Sequence, residues 1–562
     1  MKLPVIVGMG GINAAGRTSG FHSYKRMVYN SLSDNIMHNT WQDLATRMQL
    51  SPNQIDEILA GTLVRQIDIF DPNNVYGHKA VEVSGQKLFT PAYSAMAVQS
   101  AGMIPRGFDL GKLYSSHNHP RGLMMTVYGM SDALSSLGIE WQSILEKVHP
   151  DRISVYAGSA LSQVDENSLA GLVELPLKGK RVNSKMMPLS LAEMPADFIN
   201  SYILNSIGTT GHNMGACATF LYNLRQGIRD IQHGEADVVI VGSAEAPVNP
   251  VIIDGFAAMS ALSTDDDLRK LDGVLTPDYR RSCRPFSTNT GFVIAESAQF
   301  AILMSDDLAL ELGAPILGSV ANVFVNADGN KKSIASPGIG NYITMTKACK
   351  LAQDLGMQRT YVHAHGTGTP QNRVTESHIL SEVAQNFNIE DWPVCAIKAY
   401  VGHSIGAAAG DQLAATLGAW QYGILPGIQT IDHIAADVYT KNLNILLASQ
   451  HFDMQGCLIN SKGFGGNNAS ALIASPQFTL DMLAKKHGRD KISKYVHVND
   501  KVKQKVQEND EQACSGNEQI IYHFGSQIIN AEELQINQES INLKTFTKNI
   551  ELSNLNHYIE YQ

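Results

Sequence analysis

From about residue 150 to about residue 475 the chain alternates short apolar runs with longer amphipathic stretches. The runs Ile153-Ser-Val-Tyr-Ala, Asp237-Val-Val-Ile-Val-Gly, Tyr361-Val-His-Ala and Val394-Cys-Ala-Ile are rich in β-branched residues, and longer segments of helical spacing separate them. Strands alternating with helices in this way predict parallel α/β layers. Ahead of this region, Val5 to Gly11 reads as a first strand closing in a tight glycine turn. Residues from about 18 to 150 read as a helical, loop-rich insertion, with Trp41 to Met48, Pro52 to Gly61 and Asp132 to Val148 as candidate helices between glycine and proline breaks. Beyond Pro476 a lysine-rich stretch from Lys485 to Lys505 leads into a polar, Asn/Gln-rich tail, predicted as an appendage outside the core.

Composition narrows the class. A chain of 562 residues, 44% of them apolar, exceeds one ordinary domain and predicts at least two core units. No run approaches the roughly eighteen apolar residues of a membrane span, and the first strand is too short and glycine-broken for a signal peptide. A soluble, cytoplasmic protein is expected. The six cysteines show no CxxC and no zinc-finger spacing, so reduced thiols are expected rather than a disulfide framework or structural zinc. A net charge of −10 argues against nucleic-acid binding, which needs a concentrated basic face.

Three glycine-marked turns carry candidate chemistry. Around Cys217 the chain reads Gly211-His-Asn-Met-Gly-Ala-Cys-Ala-Thr, and Phe220, Leu221, Leu224, Ile228 and Ile231 then recur at helical spacing. Cys217 is thereby placed at a helix start, where unpaired N–H groups favour a thiolate. Alone, a cysteine among small residues is an ordinary core thiol. His365 follows the strand at Tyr361 in a turn holding Thr367 and Thr369; His403 follows the strand at Val394 through Gly402 into an alanine-rich helix. Each histidine singly is more often a hydrogen-bonded structural residue than a catalytic one. Together, one nucleophile and two imidazoles meet the needs of decarboxylative condensation, in which two N–H donors stabilise the enolate left when a malonyl thioester loses CO2. The turn Lys462-Gly-Phe464-Gly-Gly-Asn-Asn could supply a backbone N–H at Phe464 to the second oxyanion, or be an ordinary loop.

These motifs together resemble the β-ketoacyl-acyl-carrier-protein synthase family of the thiolase superfamily. Met187-Pro-Leu-Ser-Leu-Ala-Glu-Met-Pro-Ala, Gly255-Phe-Ala-Ala-Met-Ser-Ala-Leu-Ser, Arg284-Pro-Phe and Gly291-Phe-Val add matching pieces in order and spacing. The resemblance covers roughly residues 150 to 475 and the first strand. It implies a thiolase-like five-layer αβαβα fold of two pseudo-repeated halves, 1–265 with the nucleophile and 266–475 with the histidines, and a C-terminal extension, 476–562. It further implies Cys217 as acylated nucleophile, His365 and His403 as the paired histidines, Lys398 and Glu376 as their support, Thr367 and Thr369 as phosphopantetheine contacts and Phe464 as a gate. The long insertion and extension resemble the FabY type, long gammaproteobacterial synthases that start synthesis from acetyl-CoA.

The resemblance carries further expectations: a homodimer, acyl carrier protein as partner with acyl-CoA or acyl-carrier donors, and no metal or cofactor beyond the pantetheine or CoA on the substrates. A basic rim for the acidic carrier is sought at Arg65, Arg121, Lys178, Lys180 and Arg181. Two departures stand out: Arg373 replaces an acidic residue, and the usual charged linker after Phe286 reads Ser287-Thr-Asn-Thr. An elongating synthase, a polyketide or polyunsaturated-fatty-acid synthase component and a non-catalytic partner subunit are the alternatives. His117-Asn-His119 is read as structural, and Gly8 to Gly11 as too incomplete for a dinucleotide site.

Overall fold

The computed structural model describes residues 1–50, 96–334 and 336–553, with strand backbone at 65–66, 78–83 and 86–91. Ten strands build two halves with one plan. The first half uses β1 (Pro4–Asn13), β2 (Ile153–Gly158), β3 (Thr210–Gly211), β4 (Val238–Glu245) and β5 (Ser297–Ser305). The second uses β6 (Gly318–Asn326), β7 (Thr360–His363), β8 (Trp392–Cys395), β9 (Gly456–Gly463) and β10 (Asn467–Ala474). Their spatial orders are β3-β2-β4-β5-β1 and β8-β7-β9-β10-β6. Strand for strand the directions agree: β2 is parallel to β3 and β4, and β7 to β8 and β9, whereas β5 and β10 run antiparallel to both neighbours. Two residue pairs, Val5 with Ser319 and Ile6 with Gly318, join the halves into a sheet of 12 strands among the described residues.

Helices cover both faces, so β1, β2, β4 and β5 are buried at every position. Outermost on the first half lies α1 (Arg121–Leu137), against β1 and β5. In the middle, α2 (Thr219–His233) follows β3 and α4 (Ala408–Tyr422) follows β8; they pack on each other and on strands of both halves. The far side of the second half carries Gly340–Asp354 and α3 (Pro370–Asn386). Five layers result, α1, sheet, α2 with α4, sheet, and the outer helix pair. The thiolase-like architecture expected from the motifs is the observed one, but the halves part between β5 and β6 rather than at residue 265, because β5 (Ser297–Ser305) pairs with β1 and β4 of the first half.

Several local expectations need correction. Gly8 and Gly10 lie inside β1, not in a turn, because α1 crosses there: a Cβ at Gly10 would sit 2.1 Å from the Ala133 amide nitrogen. The helix placed at Asp132 to Val148 starts at Arg121 and stops at Gly138, whose left-handed φ of 65° ends it, and only the short Trp141–Leu145 helix follows. Arg121–Leu137 therefore belongs to the core layers rather than to an insertion. The helix at Trp41 to Met48 is the end of Asp34–Met48; the one at Pro52 to Gly61 lies outside the described residues. Strands His78–Val83 and Gln86–Pro91 pair as a hairpin within the region read as helical and loop-like. The lysine-rich stretch is no loose appendage. Arg489–Cys514 is a 26-residue helix that lies across Asp34–Met48 and α1. Its Asp510 joins Asp43 on the buried Arg17 guanidinium at 2.6 and 2.7 Å, while Arg47 pairs with Asp43 and Glu518. Leaving such a guanidinium unpaired costs several kcal/mol, about 3–5, which ties the extension to the core.

Candidate active site

The site forms where the turns after β3, β7 and β8 meet the end of β9. Cys217 is the middle residue of the tight turn Ala216–Ala218 that leads into α2. His403 sits before the matching turn Ile405–Ala407 that leads into α4. Both turns begin on a strained left-handed residue, Ala216 at φ 50° and Ile405 at φ 45°. His365 leaves the end of β7, where helices on either side leave a crevice. Cys217 Sγ stands 3.1 Å from His403 Nε2, and one ring nitrogen of each histidine and the sulfur all lie within 4.8 Å of one another. The imidazole rings meet edge to face at 5.5 Å. All three side chains border one cavity of about 360 Å³.

Support comes from behind. Glu376, on α3, accepts the His365 and Gly366 amides at 2.6 and 2.8 Å and the side chains of Asn372 and Asn460. Lys398 donates to the His365 carbonyl at 2.6 Å. The Lys462 amide donates to His365 Nδ1 at 3.4 Å, which leaves Nε2 to carry the ring proton. Ser461 holds the Cys217 carbonyl at 2.8 Å. Thr367 and Thr369 line the cavity with their hydroxyls 3.1 Å apart, and the Thr369 hydroxyl caps α3.

Electrostatics correct one expectation. Burial pushes the Cys217 thiol up to about 12; Lys398 opposes this and Glu245 adds to it, so the resting sulfur carries its proton. A helix start supplies about 1 kcal/mol, under one pKa unit, and desolvation outweighs it. The amides of Cys217 and Phe464 both bond toward the sulfur and favour its thiolate. Burial, then the Lys398 charge, holds both catalytic-site imidazoles well below their ordinary value, so they are neutral at pH 7.

Two residues went unassigned in the sequence. Glu245, closing the apolar run of β4, accepts the Ala160 amide at 2.5 Å and the Ser159 hydroxyl at 2.7 Å, and the Gly406 amide also donates to it; burial raises its carboxyl to about 7. Lys462 stands in the turn already singled out and lines the cavity. The signal for both was a charge at the end of an apolar strand. The two departures from the family pattern turn out to be coupled, because Arg373 donates to Asn289 Oδ1 and the Ser287 carbonyl while pairing with Asp437. Other candidates lie elsewhere. Arg121 is committed to Glu296, Lys178 to Glu174, and neither borders the cavity; Lys180 and Arg181 lie beyond Lys178 on the same surface loop, and the Arg65 side chain is outside the described residues. His119 is buried beside Phe198 and Tyr522 and bonds to Tyr114, a structural role.

Residues 121–309 match the family model described as "Beta-ketoacyl synthase, N-terminal domain", and 317–432 its "C-terminal domain" partner. The chain is 44% identical to the β-ketoacyl-[acyl-carrier-protein] synthase FabY of Pseudomonas aeruginosa over 97% of each protein. It is 28% identical to the 3-oxoacyl-[acyl-carrier-protein] synthase 2 of Staphylococcus aureus, over 57% of this chain and 76% of that one. A crystal structure of the ketosynthase FabY from P. aeruginosa superposes with a TM-score of 0.96 at 42% identity, covering 100% of this chain and 99% of that one. A β-ketoacyl synthase from Burkholderia phymatum shares the fold, with a TM-score of 0.63 at 21% identity over 84% of this chain and 100% of that one.

Proposed function

This chain belongs to the β-ketoacyl synthase family, and we propose that it joins a short acyl donor, acetyl-CoA, to malonyl-acyl carrier protein in fatty acid biosynthesis. The observation that carries the reading is the meeting of Cys217 Sγ with two neutral imidazoles in one cavity. In the first half-reaction the sulfur attacks the donor thioester. His403 Nε2, 3.1 Å away, takes the proton that a thiol with so high a pKa retains, and the CoA thiol departs. The carbonyl oxygen of the tetrahedral intermediate is received by the amides of Cys217 and Phe464. In the second, the malonyl C–C bond breaks to release CO2, and the negative charge passes to a thioester oxygen faced by the Nε2–H of His365 and by His403. The enolate carbon then attacks the acyl-Cys217 carbonyl and expels the thiolate, leaving a β-ketoacyl thioester on the carrier.

A short donor is favoured by what stands beside the sulfur. The Phe464 and Phe256 rings stack at 6.3 Å, Phe256 meets Phe292 edge-on at 5.3 Å, and Phe292 meets His403 at 5.2 Å. Buried Val98, Ile253 and Ile405 back this wall. A two-carbon group needs no depth beyond it, whereas a long chain requires the rings to part. Thr367 and Thr369 are the proposed contacts of the pantetheine arm. A homodimer is supported by β3, the last strand of the sheet, and by the exposed Leu169, Val173, Leu177 and Met187 on that half, an apolar surface next to an open strand edge. A cytoplasmic location agrees with the finding that, among the described residues, no helix is long and apolar enough to cross a membrane.

The test offers purified enzyme malonyl-carrier protein with either labelled acetyl-CoA or acyl-carrier proteins of increasing length. A labelled four-carbon β-ketoacyl product from acetyl-CoA is expected. Products from long acyl carriers alone would make it an elongating synthase.

A further inference from the structure

Two lysines flank His365, and they are engaged differently. Lys398 is fully buried, gives its ammonium to the His365 carbonyl and does not border the cavity. Lys462 is part-exposed to the cavity, and its ammonium bonds only neutral oxygens on the first two turns of α3, Asn372 Oδ1 at 3.2 Å and Thr375 Oγ1 at 3.0 Å. Among the described residues it has no carboxylate within ion-pair distance. An ammonium has three protons to donate, so one remains for the cavity. A partly desolvated cation without a counter-ion is costly unless a ligand brings the anion. Its backbone is bonded to His365 Nδ1, which ties the side chain to the residue assigned to the extender thioester.

We infer that Lys462 binds the free carboxylate of the extender, making it a specificity residue for malonyl over uncharged thioesters. The inference rests on the reading above that the cavity takes a malonyl thioester. With the thioester oxygen on His365, a carboxylate two bonds from that carbonyl carbon falls on the same side of the cavity, where Lys462, Asn372 and Thr375 converge. Before bonds break, no other anion sits at that depth: Cys217 rests as a thiol, and the donor acyl group carries no charge. The contact is made in the ground state and is given up as CO2 leaves, so it lowers KM rather than raising kcat. Glu376 and Asp328 are the neighbouring negative charges; of the two lysines that line the cavity, Lys331 pairs with Asp328 at 3.3 Å, whereas the Lys462 ammonium is in no ion pair among the described residues.

The experiment uses the full-length enzyme carrying Lys462→Gln, with Lys462→Arg as the charge-retaining variant. For malonyl-N-acetylcysteamine, which has the carboxylate but no phosphate, KM is expected to rise about tenfold in the Gln variant, the loss of one charge-assisted hydrogen bond, with kcat equal or higher, and to recover in the Arg variant. Labelled acetyl-CoA, which has phosphates but no carboxylate, should acylate Cys217 at the parental rate, which also reports that the variant folds. An unchanged malonyl KM overturns the inference. So does slower acylation by acetyl-CoA with normal use of malonyl-N-acetylcysteamine, which would make Lys462 a phosphate contact. If the parent enzyme itself fails to condense acetyl-CoA with malonyl thioesters, the functional reading fails instead.

Discussion

The two halves share strand order, strand directions and a tight turn with a left-handed residue after the third strand, yet the turns hold opposite chemistry. In the first half the middle residue of the turn is Cys217, and its amide and that of Phe464 bond toward the Cys217 sulfur. In the second half the middle residue is Gly406, and its amide bonds the carboxyl of Glu245. The partners are exchanged between halves: β9 of the second half closes on the Cys217 turn, and β4 of the first half closes on the turn beside His403. A duplicated scaffold thus gives a matched pair of amide-lined turns. One opens on the cavity, and the other is stoppered by a side chain and stands beside the His403 imidazole. The lesson is that the backbone supplies the amide-lined turn twice, and that side chains decide which copy is left open.

The largest effects break that asymmetry at its reactive member. Cys217→Ala should lower condensation by at least about a thousandfold, measured as labelled β-ketoacyl product. Cys217→Gln should keep malonyl decarboxylation without an acyl donor, because the histidine pair is intact. In that Gln background, His365→Ala and His403→Ala should each slow CO2 release by about a hundredfold or more, as expected for removing one donor to a developing oxyanion. The same Gln variant tests the protonation states. Both imidazoles are held below their ordinary 6.5, so decarboxylation should stay level as pH falls from 8 through 6.5, where an ordinary histidine would gain a proton and lose its place as a neutral donor. A decline centred at 6.5 contradicts that state.

Smaller effects probe the stoppered turn. A Cβ at Gly406 would lie 2.3 Å from Glu245 Oε1, so Gly406→Ala should cost about 1–3 kcal/mol of stability in a denaturant titration. Glu245→Gln keeps the shape and removes the negative charge that helps hold the Cys217 thiol up. With that charge gone the thiolate forms more readily, so the rate of Cys217 alkylation should rise at lower pH than in the parent enzyme. An unmoved profile would confine Glu245 to packing.

Particular residues show what was legible. The amphipathic helix from Phe220 to Ile231 and the buried runs at Val238 and Tyr361 follow from local spacing, and so does the placing of Cys217, His365 and His403 beside glycine turns. The strand position of the glycines at 8 and 10 is not legible locally, because what occupies the space above them is Ala133, more than 120 positions away in the chain. The docking of the lysine-rich helix is not legible locally either, because its anchor, Asp510 on Arg17, spans nearly the whole sequence.

The sequence by itself determined the repeating strand and helix pattern, the three chemical turns and, through their order, the reaction class, because these depend on periodicity and on residue types close together in the chain. The tertiary structure alone decided that Cys217 rests as a thiol, that Phe464, Phe256 and Phe292 wall the site and that Lys462 faces the cavity with no carboxylate in ion-pair distance among the described residues. Desolvation, ring packing and unpaired charge are properties of what surrounds a group in space, and those surroundings are assembled from segments hundreds of residues apart.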